Sequence, residues 1–210
     1  MRIYPYLYRF LQNLVLIGKK EENFFTQIEK LLLDKKSKYE CILDVGCADG
    51  IFLEKVNVPI SIKYIGVDLE SVLINKANLK SKKKNAKFYC QSIESININD
   101  YPKKTLIIMS GVVHHLPDNI ILNFMDQLRG RSIICLDGFY HKKQNPISRI
   151  LLLLDKGKFI RTLIGYKKIL KNFFFIKKIN KYLLFYSHLI SYKNINNNLM
   201  KLHFEDGPKL

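Results

Sequence analysis

The sequence predicts an α/β fold: a Rossmann-like open sheet, mostly parallel, with helices on both faces and a C-terminal antiparallel hairpin. Three observations predict it. Short apolar runs recur at about 41–45, 63–67, 86–90, 105–109 and 131–136, with helical segments expected between them. The first run, Ile42-Leu43-Asp44-Val45, feeds directly into Gly46-Cys47-Ala48-Asp49-Gly50, a glycine-bearing turn of the kind that joins a buried strand to a helix. Near the end, Phe173–Ile179 and Leu183–Tyr192 are strand-like and too close together for a helical crossover, so they pair antiparallel.

The elements follow in order. Tyr4–Leu16 reads as an aromatic-rich helix, in which Tyr6, Tyr8 and Phe10 serve either core packing or a lid. Glu21–Asp34 reads as an amphipathic helix whose apolar face holds Phe24, Phe25, Ile28, Leu31 and Leu32. After the fifth strand, Asn145 suits an N-cap with Pro146 at the first helical position, Asp155-Lys156-Gly157 stops that helix, and Thr162 caps the next. With 210 residues, 48% of them hydrophobic, the chain has material for one sizeable core. The expectation is a single domain over 1–210, with N-terminal helices at 1–35, a helical insertion over the acceptor site at 138–171, and a flexible, Asn-rich tail at 193–210.

The chemistry starts at the first loop. Some twenty residues after Asp44, the run Tyr64-Ile65-Gly66-Val67 ends in Asp68, where an α/β nucleotide site places the carboxylate that receives ribose hydroxyls. A dinucleotide fingerprint would need a G-x-G-x-x-G loop to seat a pyrophosphate, and Ala48 stands at its middle glycine. Carboxylates at Asp44 and Asp49 repel a pyrophosphate and suit a cationic amino-acid ligand.

On these residues the chain resembles the class I S-adenosylmethionine-dependent methyltransferases, whose first motif runs acid-x-Gly-x-Gly-x-Gly and whose second strand ends in a ribose-binding acid. The resemblance implies a seven-stranded sheet closed by the hairpin, S-adenosyl-L-methionine as cofactor, and cofactor contacts from Asp44, Gly46, Cys47, Ala48, Gly50, Asp68, Leu69, Gln91, Ser92 and Ser110. Cys90-Gln91-Ser92 stands where the family usually has Gly-Asp-Ala, with Gln91 placed to accept from the adenine amino group. Met109-Ser110-Gly111-Val112-Val113-His114-His115-Leu116 is similar to the exit of the fourth strand in many small-molecule members, although Thr105 replaces an Asp often seen at that strand's start. The pattern Gln144-Asn145-Pro146-Ile147-x-Arg149, followed by Asp155-x-Gly157-x-Phe159-x-Arg161, resembles small bacterial methyltransferases associated with surface-polysaccharide biosynthesis.

Candidate catalytic residues are His115, His114 and Asp137. An imidazole beside the methyl position suits proton removal from a hydroxyl near neutrality, while the alternative is that one histidine points inward onto protein groups. Asp137 either orients a histidine or binds acceptor, or it caps the turn before Gly138. Tyr140, His141, Arg149 and Arg161 are candidate acceptor contacts, the guanidinium forks suiting phosphate or carboxylate. A salt bridge from Arg149 or Arg161, Asp155 being one candidate, is the competing role.

The reaction expected is methyl transfer to a small-molecule or glycan-type acceptor, at oxygen, with an anionic or lipid-linked acceptor suggested by charge. Thirty-five basic against 18 acidic residues give a net charge of +17. That raises nucleic acid or an anionic membrane as partner, while abundant Lys, Asn and Ile fit an AT-rich composition bias equally well. An RNA methyltransferase is one alternative, weakened because no Asn-Pro-Pro-Tyr or Asp-Pro-Pro-Tyr motif follows the fourth strand; a cofactor-binding, non-catalytic subunit is another. The cysteines at 41, 47, 90 and 135 have no C-x-x-C spacing and read as core residues, with neither metal site nor disulfide framework indicated. No apolar run is long enough to span a bilayer, and Arg9, Gln12 and Asn13 interrupt a secretory signal, so a cytoplasmic protein with peripheral membrane contact at most is expected.

Overall fold

The computed structural model describes residues 21–34, 39–128, 130–140, 149, 152, 153, 157–170, 175–182 and 186–193. The expected helix Tyr4–Leu16, the Asn145-Pro146 helix start and the tail after Lys193 lie outside the described residues. Five parallel strands form an open sheet: β1 (Cys41–Val45), β2 (Lys63–Asp68), β3 (Ala86–Cys90), β4 (Thr105–Ser110) and β5 (Ser132–Gly138), in the order β3-β2-β1-β4-β5. They coincide with the apolar runs of the sequence to within two residues at each end.

All of β1 and all but the last residue of β4 are buried, as expected for strands covered on both faces. Alternation along β1 divides the core. Ile42 faces α1 (Glu21–Leu33), α2 (Ile51–Lys55) and α3 (Ser71–Lys80), packing with Ile28, Leu31, Phe52 and Ile74. Leu43 and Val45 face α4 (Asp118–Gln127) and α5 (Leu163–Leu170), packing with Ile121, Phe124 and Tyr166. The first layer is fastened by an aromatic row, with Phe25, Phe52, Tyr64 and Phe88 in successive ring contacts of 6.2, 6.0 and 5.7 Å between centroids.

Two expectations are corrected. No α-helix connects β3 to β4; two 3₁₀ turns, Ile93–Ser95 and Ile98–Asp100, do so instead. Ser92 and Asn97 each accept a backbone N–H from two residues on, capping the start of each turn. Cys90, read as a core residue, is exposed, because β3 is the outer strand of the parallel set and only Phe88 of it is buried; Cys41, Cys47 and Cys135 are buried. Thr162 does cap α5, its hydroxyl accepting from the Gly165 N–H at 3.2 Å.

Candidate active site

The strand ends coincide. Val45 is in register with Val67 on one side and Met109 on the other, and Asp68 and Ser110 follow one residue later. Because β1 lies between β2 and β4, the connections leaving β1 and β4 diverge to opposite faces and open a crevice at the carboxyl edge.

The loop after β1 turns through three left-handed residues, Gly46 (φ 75°), Ala48 (φ 49°) and Gly50 (φ 81°). The Gly46 and Cys47 N–H groups both donate to the Val67 carbonyl, at 2.8 and 3.0 Å. A Cβ on Gly46 would lie 2.6 Å from Val112 Cγ2, so the position requires glycine both for its conformation and for the approach of the turn after β4. Asp68 closes the loop from β2: its Oδ2 accepts from the Ala48 N–H and its Oδ1 from the Glu70 N–H, each at 2.9 Å. A carboxylate offers about four acceptor sites, so this one retains capacity for two vicinal hydroxyls.

Asp44 is buried beneath the loop and accepts a hydrogen bond from the Tyr64 hydroxyl. Burial pushes its carboxyl up to about 7, the Tyr64 bond opposing and the charge of Asp68 adding. Burial also holds the Cys47 thiol far above its ordinary range, so this residue shapes the loop and supplies no thiolate. Asp49 departs from expectation. Its buried carboxylate takes the Lys80 ammonium at 2.7 Å, and Lys80 also meets Glu54 at 3.2 Å, so Asp49 is neutralised and presents no charge to a ligand.

Beyond Asp68, Leu69 is 72% exposed, an apolar surface suited to a flat heterocycle beside that carboxylate. The Gln91 N–H donates to the Asp68 carbonyl at 2.9 Å, and its side-chain nitrogen donates to Ser95 O at 3.0 Å, leaving the amide oxygen as acceptor. Ser92 caps the following 3₁₀ turn, and Ser110 is half-buried at the end of β4. Positive backbone curvature at Gly46, a ribose acid and an exposed apolar contact fit S-adenosylmethionine.

On the other side, the histidines separate. His114 is buried: its Nδ1 lies 2.5 Å from Asp137 Oδ1, and its backbone N–H donates to Asp137 Oδ2 at 3.2 Å. Asp137 Oδ1 also accepts from the Gly138 N–H at 2.8 Å, so this carboxylate, 1% exposed, both orients a histidine and caps the turn. It is placed to hold His114 rather than to touch an acceptor. His115 is exposed, with its ring 4.1 Å from that of His114.

A strap covers His114. A Cβ on Gly157 would lie 2.1 Å from His114 Cδ2, and the Phe159 N–H donates to the His114 carbonyl at 2.9 Å. Arg161, for which the sequence allowed an acceptor contact or a salt bridge, forms a clamp whose acid is Asp118. Its guanidinium donates to the carbonyls of Val113 (3.1 Å), Leu116 (2.7 Å) and Phe159 (2.8 Å) and to Asp118 Oδ1 through two nitrogens (2.6 and 3.0 Å). With its donors filled by protein, none is left for a ligand anion. The Tyr140 N–H donates to the Arg161 carbonyl at 3.0 Å and Tyr140 bridges Thr162, so the half-buried Tyr140 stands at the end of the strap. Arg149 is exposed, and His141 lies outside the described residues.

Four partners escaped the sequence reading: Tyr64 on Asp44, Val112 on Gly46, Gly157 on His114 and Asp118 on Arg161. Two carried a signal. Tyr64 interrupts an aliphatic strand with a hydroxyl that must find a partner when buried, and Gly157 lies in the Asp155-x-Gly157-x-Phe159-x-Arg161 pattern.

Comparison with known proteins agrees with this arrangement. Residues 42–130 match the family model of the methyltransferase domain. Among curated proteins none matches the chain in sequence. The fold is similar to that of human N-acetylserotonin methyltransferase, solved with SAM (15% identity, TM-score 0.60, covering 89% of this chain and 55% of that one). It is also similar to mitomycin 7-O-methyltransferase (10% identity, TM-score 0.60, 81% and 53%). A third similar structure is magnesium protoporphyrin IX methyltransferase from Synechocystis with bound SAH (16% identity, TM-score 0.59, 88% and 87%). The chain spans about half the length of the first two. The matched segment carries the methyltransferase-domain pattern, and the similar structures share the fold of this chain.

Proposed function

We propose that the chain is a single-domain S-adenosylmethionine-dependent methyltransferase that acts on a small-molecule or glycan-type acceptor, at oxygen. The observation that carries the reading is the Asp68 carboxylate, which pins the left-handed Gly46–Gly50 loop at the crevice and retains acceptor capacity there. S-adenosylmethionine supplies, when bound, an electrophilic methyl group. What the chain must add is alignment and, for a hydroxyl, a base; alignment alone is worth about 7–11 kcal/mol when the reacting atoms are well oriented.

In this reading Gly46, Cys47, Ala48 and Gly50 shape the methionine side of the pocket, with Asp44 behind them. Asp68 and Leu69 hold the ribose and adenine, and Gln91, Ser92 and Ser110 line the rim. His115 takes the acceptor proton, being the exposed member of the pair, while Asp137 and the strap keep His114 and hence the turn in place. We assign the acceptor wall to the segment 138–171; its support among the described residues is the close approach of Gly157 to the His114 ring and the Phe159 N–H bond to the His114 carbonyl. Tyr140, His141 and Arg149 are its candidate contacts, and an anionic group on the acceptor would meet Arg149.

The sheet is completed to seven strands by an antiparallel hairpin, β6 (Phe175–Tyr182) and β7 (Tyr186–Lys193). Support comes from backbone pairing of Leu136 with Ile190 and of Ile190 with Lys178. A surface-polysaccharide precursor fits the Gly157-x-Phe159-x-Arg161 resemblance, and a cytoplasmic site fits cysteines whose spacing marks no disulfide framework.

The test is transfer of radiolabelled methyl from S-adenosylmethionine into cell extract, separated into nucleic acid, protein, lipid-soluble and small polar fractions, with Asp44→Ala as control. Label in a sugar-containing or lipid-soluble fraction, lost in His115→Ala, is the expected outcome. Label confined to ribonuclease-sensitive polymer would replace this reading with RNA methylation, and cofactor binding without transfer to any fraction would favour a non-catalytic subunit.

A further inference from the structure

The amino edge of the parallel sheet is lined with lysine. At the carboxyl edge the loops leaving β1, β2, β3 and β4, residues 46–50, 69–70, 91–97 and 111–117, contain no lysine or arginine, and the basic residues there fall in the segment after β5, with Lys142, Lys143, Arg149, Lys156, Lys158 and Arg161. Loops and strand starts at the amino edge hold Lys63, Lys82, Lys83, Lys84, Lys103 and Lys104, all exposed except the half-buried Lys83.

The amino edge is also one continuous surface. Asn85 Nδ2 donates to the Pro59 and Ile62 carbonyls (3.0 and 2.6 Å), and Lys83 Nζ meets Asn57 Oδ1 at 3.5 Å. Glu40 joins the next loops, its N–H donating to the Lys104 carbonyl and its own carbonyl accepting from the Lys63 N–H, both at 3.0 Å. Among the acids here, Glu40 pairs with Lys104 at 3.5 Å, Glu29 accepts from the Asn57 N–H, and Asp100 from Asn97. Interleaved with the lysines stand large aliphatic side chains turned to solvent: Leu33 at the end of α1 (64% exposed), Ile60 (73%) and Leu79 near the end of α3 (86%).

Lysine with exposed aliphatics is the chemistry of an interfacial surface, in which ammonium groups meet lipid phosphates and apolar tips enter the headgroup boundary. Nucleic acid is read with arginine forks and stacked aromatics. Arg131, at this edge, is buried and spent on the Ile98, Tyr101 and Pro102 carbonyls, while Tyr39 and Tyr101 are half-buried.

We propose that the amino edge of the sheet docks on the surface of an anionic bilayer, holding the crevice at the opposite edge toward the water phase. No described helix is long and apolar enough to cross a membrane, so the contact is peripheral. The docking is independent of the methyl-transfer reading.

The full chain is to be sedimented with vesicles of phosphatidylcholine mixed with phosphatidylglycerol and with phosphatidylcholine alone. Binding to the anionic vesicles only is expected, falling at least about tenfold in Lys82→Glu/Lys83→Glu/Lys84→Glu. Ile60→Ser/Leu79→Ser should weaken the binding that survives high salt about threefold. S-adenosylhomocysteine affinity unchanged in both variants shows that the fold and the crevice are intact; if the triple variant loses it, Lys103→Glu takes its place. Equal binding to both vesicles, unchanged binding by the charge-reversed protein, or tighter retention on single-stranded RNA than on anionic vesicles overturns the proposal.

Discussion

The two walls of the crevice are built by different means. On the cofactor side, backbone geometry does the positioning: left-handed residues at 46, 48 and 50, two N–H groups on one carbonyl, and a single carboxylate twenty positions away. On the other side, the turn at 113–116 has two backbone bonds of its own, His115 N–H to the Val112 carbonyl and Leu116 N–H to the Val113 carbonyl, and is further held from outside by Asp137 from β5 and by Arg161, 45 residues beyond Leu116. The first arrangement fixes one ligand shape and leaves little to change. The second adds long-range side-chain anchors to a short turn and leaves His115 exposed.

The sharpest test of this contrast is Asp68→Ala. Loss of the carboxylate removes the ribose acceptors and unpins Ala48, so S-adenosylhomocysteine affinity measured by calorimetry should fall about a hundredfold or more, while circular dichroism stays native. Unchanged affinity would remove the ribose assignment. Arg161→Met should do the reverse. Breaking charge-assisted bonds to three carbonyls costs about 2–3 kcal/mol of stability in chemical denaturation, with cofactor affinity within about twofold. A large loss of cofactor affinity there would mean that the two walls are not separable.

Gly46→Ala probes the seam between them. A left-handed alanine costs about 1–2 kcal/mol and its Cβ strikes Val112, so affinity should drop about tenfold. Adding Val112→Ala should recover part of that loss, and a double-mutant cycle with no coupling would place the cost in the backbone alone.

The remaining test is a pH slope. Asp44 has its folded pKa raised from 3.8 to about 7, so the folded state holds the proton more tightly than the unfolded one. Stability is therefore greatest below the unfolded value and declines as pH rises from about 4 to 7, by up to about 1.4 kcal/mol per unit. Asp44→Asn should flatten that segment of a denaturation-midpoint profile. A profile of the same slope would assign it to other groups.

What the sequence disclosed follows the same division. Strand positions, Gly46, Asp68 and the Thr162 cap were legible because each depends on neighbours in the chain: periodicity, a turn that needs glycine, an acid at a strand end. Which of the two histidines turns inward, the neutralised Asp49 and the partners of Arg161 were not, since each is decided at long range: by Asp137, Lys80 and Asp118 with three carbonyls. Residue type allowed Arg161 a ligand or a salt bridge, and only the fold brings Asp118 to it. The missing helix between β3 and β4 is a local matter of another kind, with Ser92 and Asn97 each competing with the helix for backbone donors.

The Arg161 clamp has an implication for how such a site diversifies. It grips Val113 and Leu116 through main-chain oxygens, which every residue type supplies. Substitutions in the turn therefore leave the grip intact, and a lineage is free to explore new acceptors there without first rebuilding the anchor. The evolutionary constraint falls on the far end, on the one guanidinium and the glycine four residues before it.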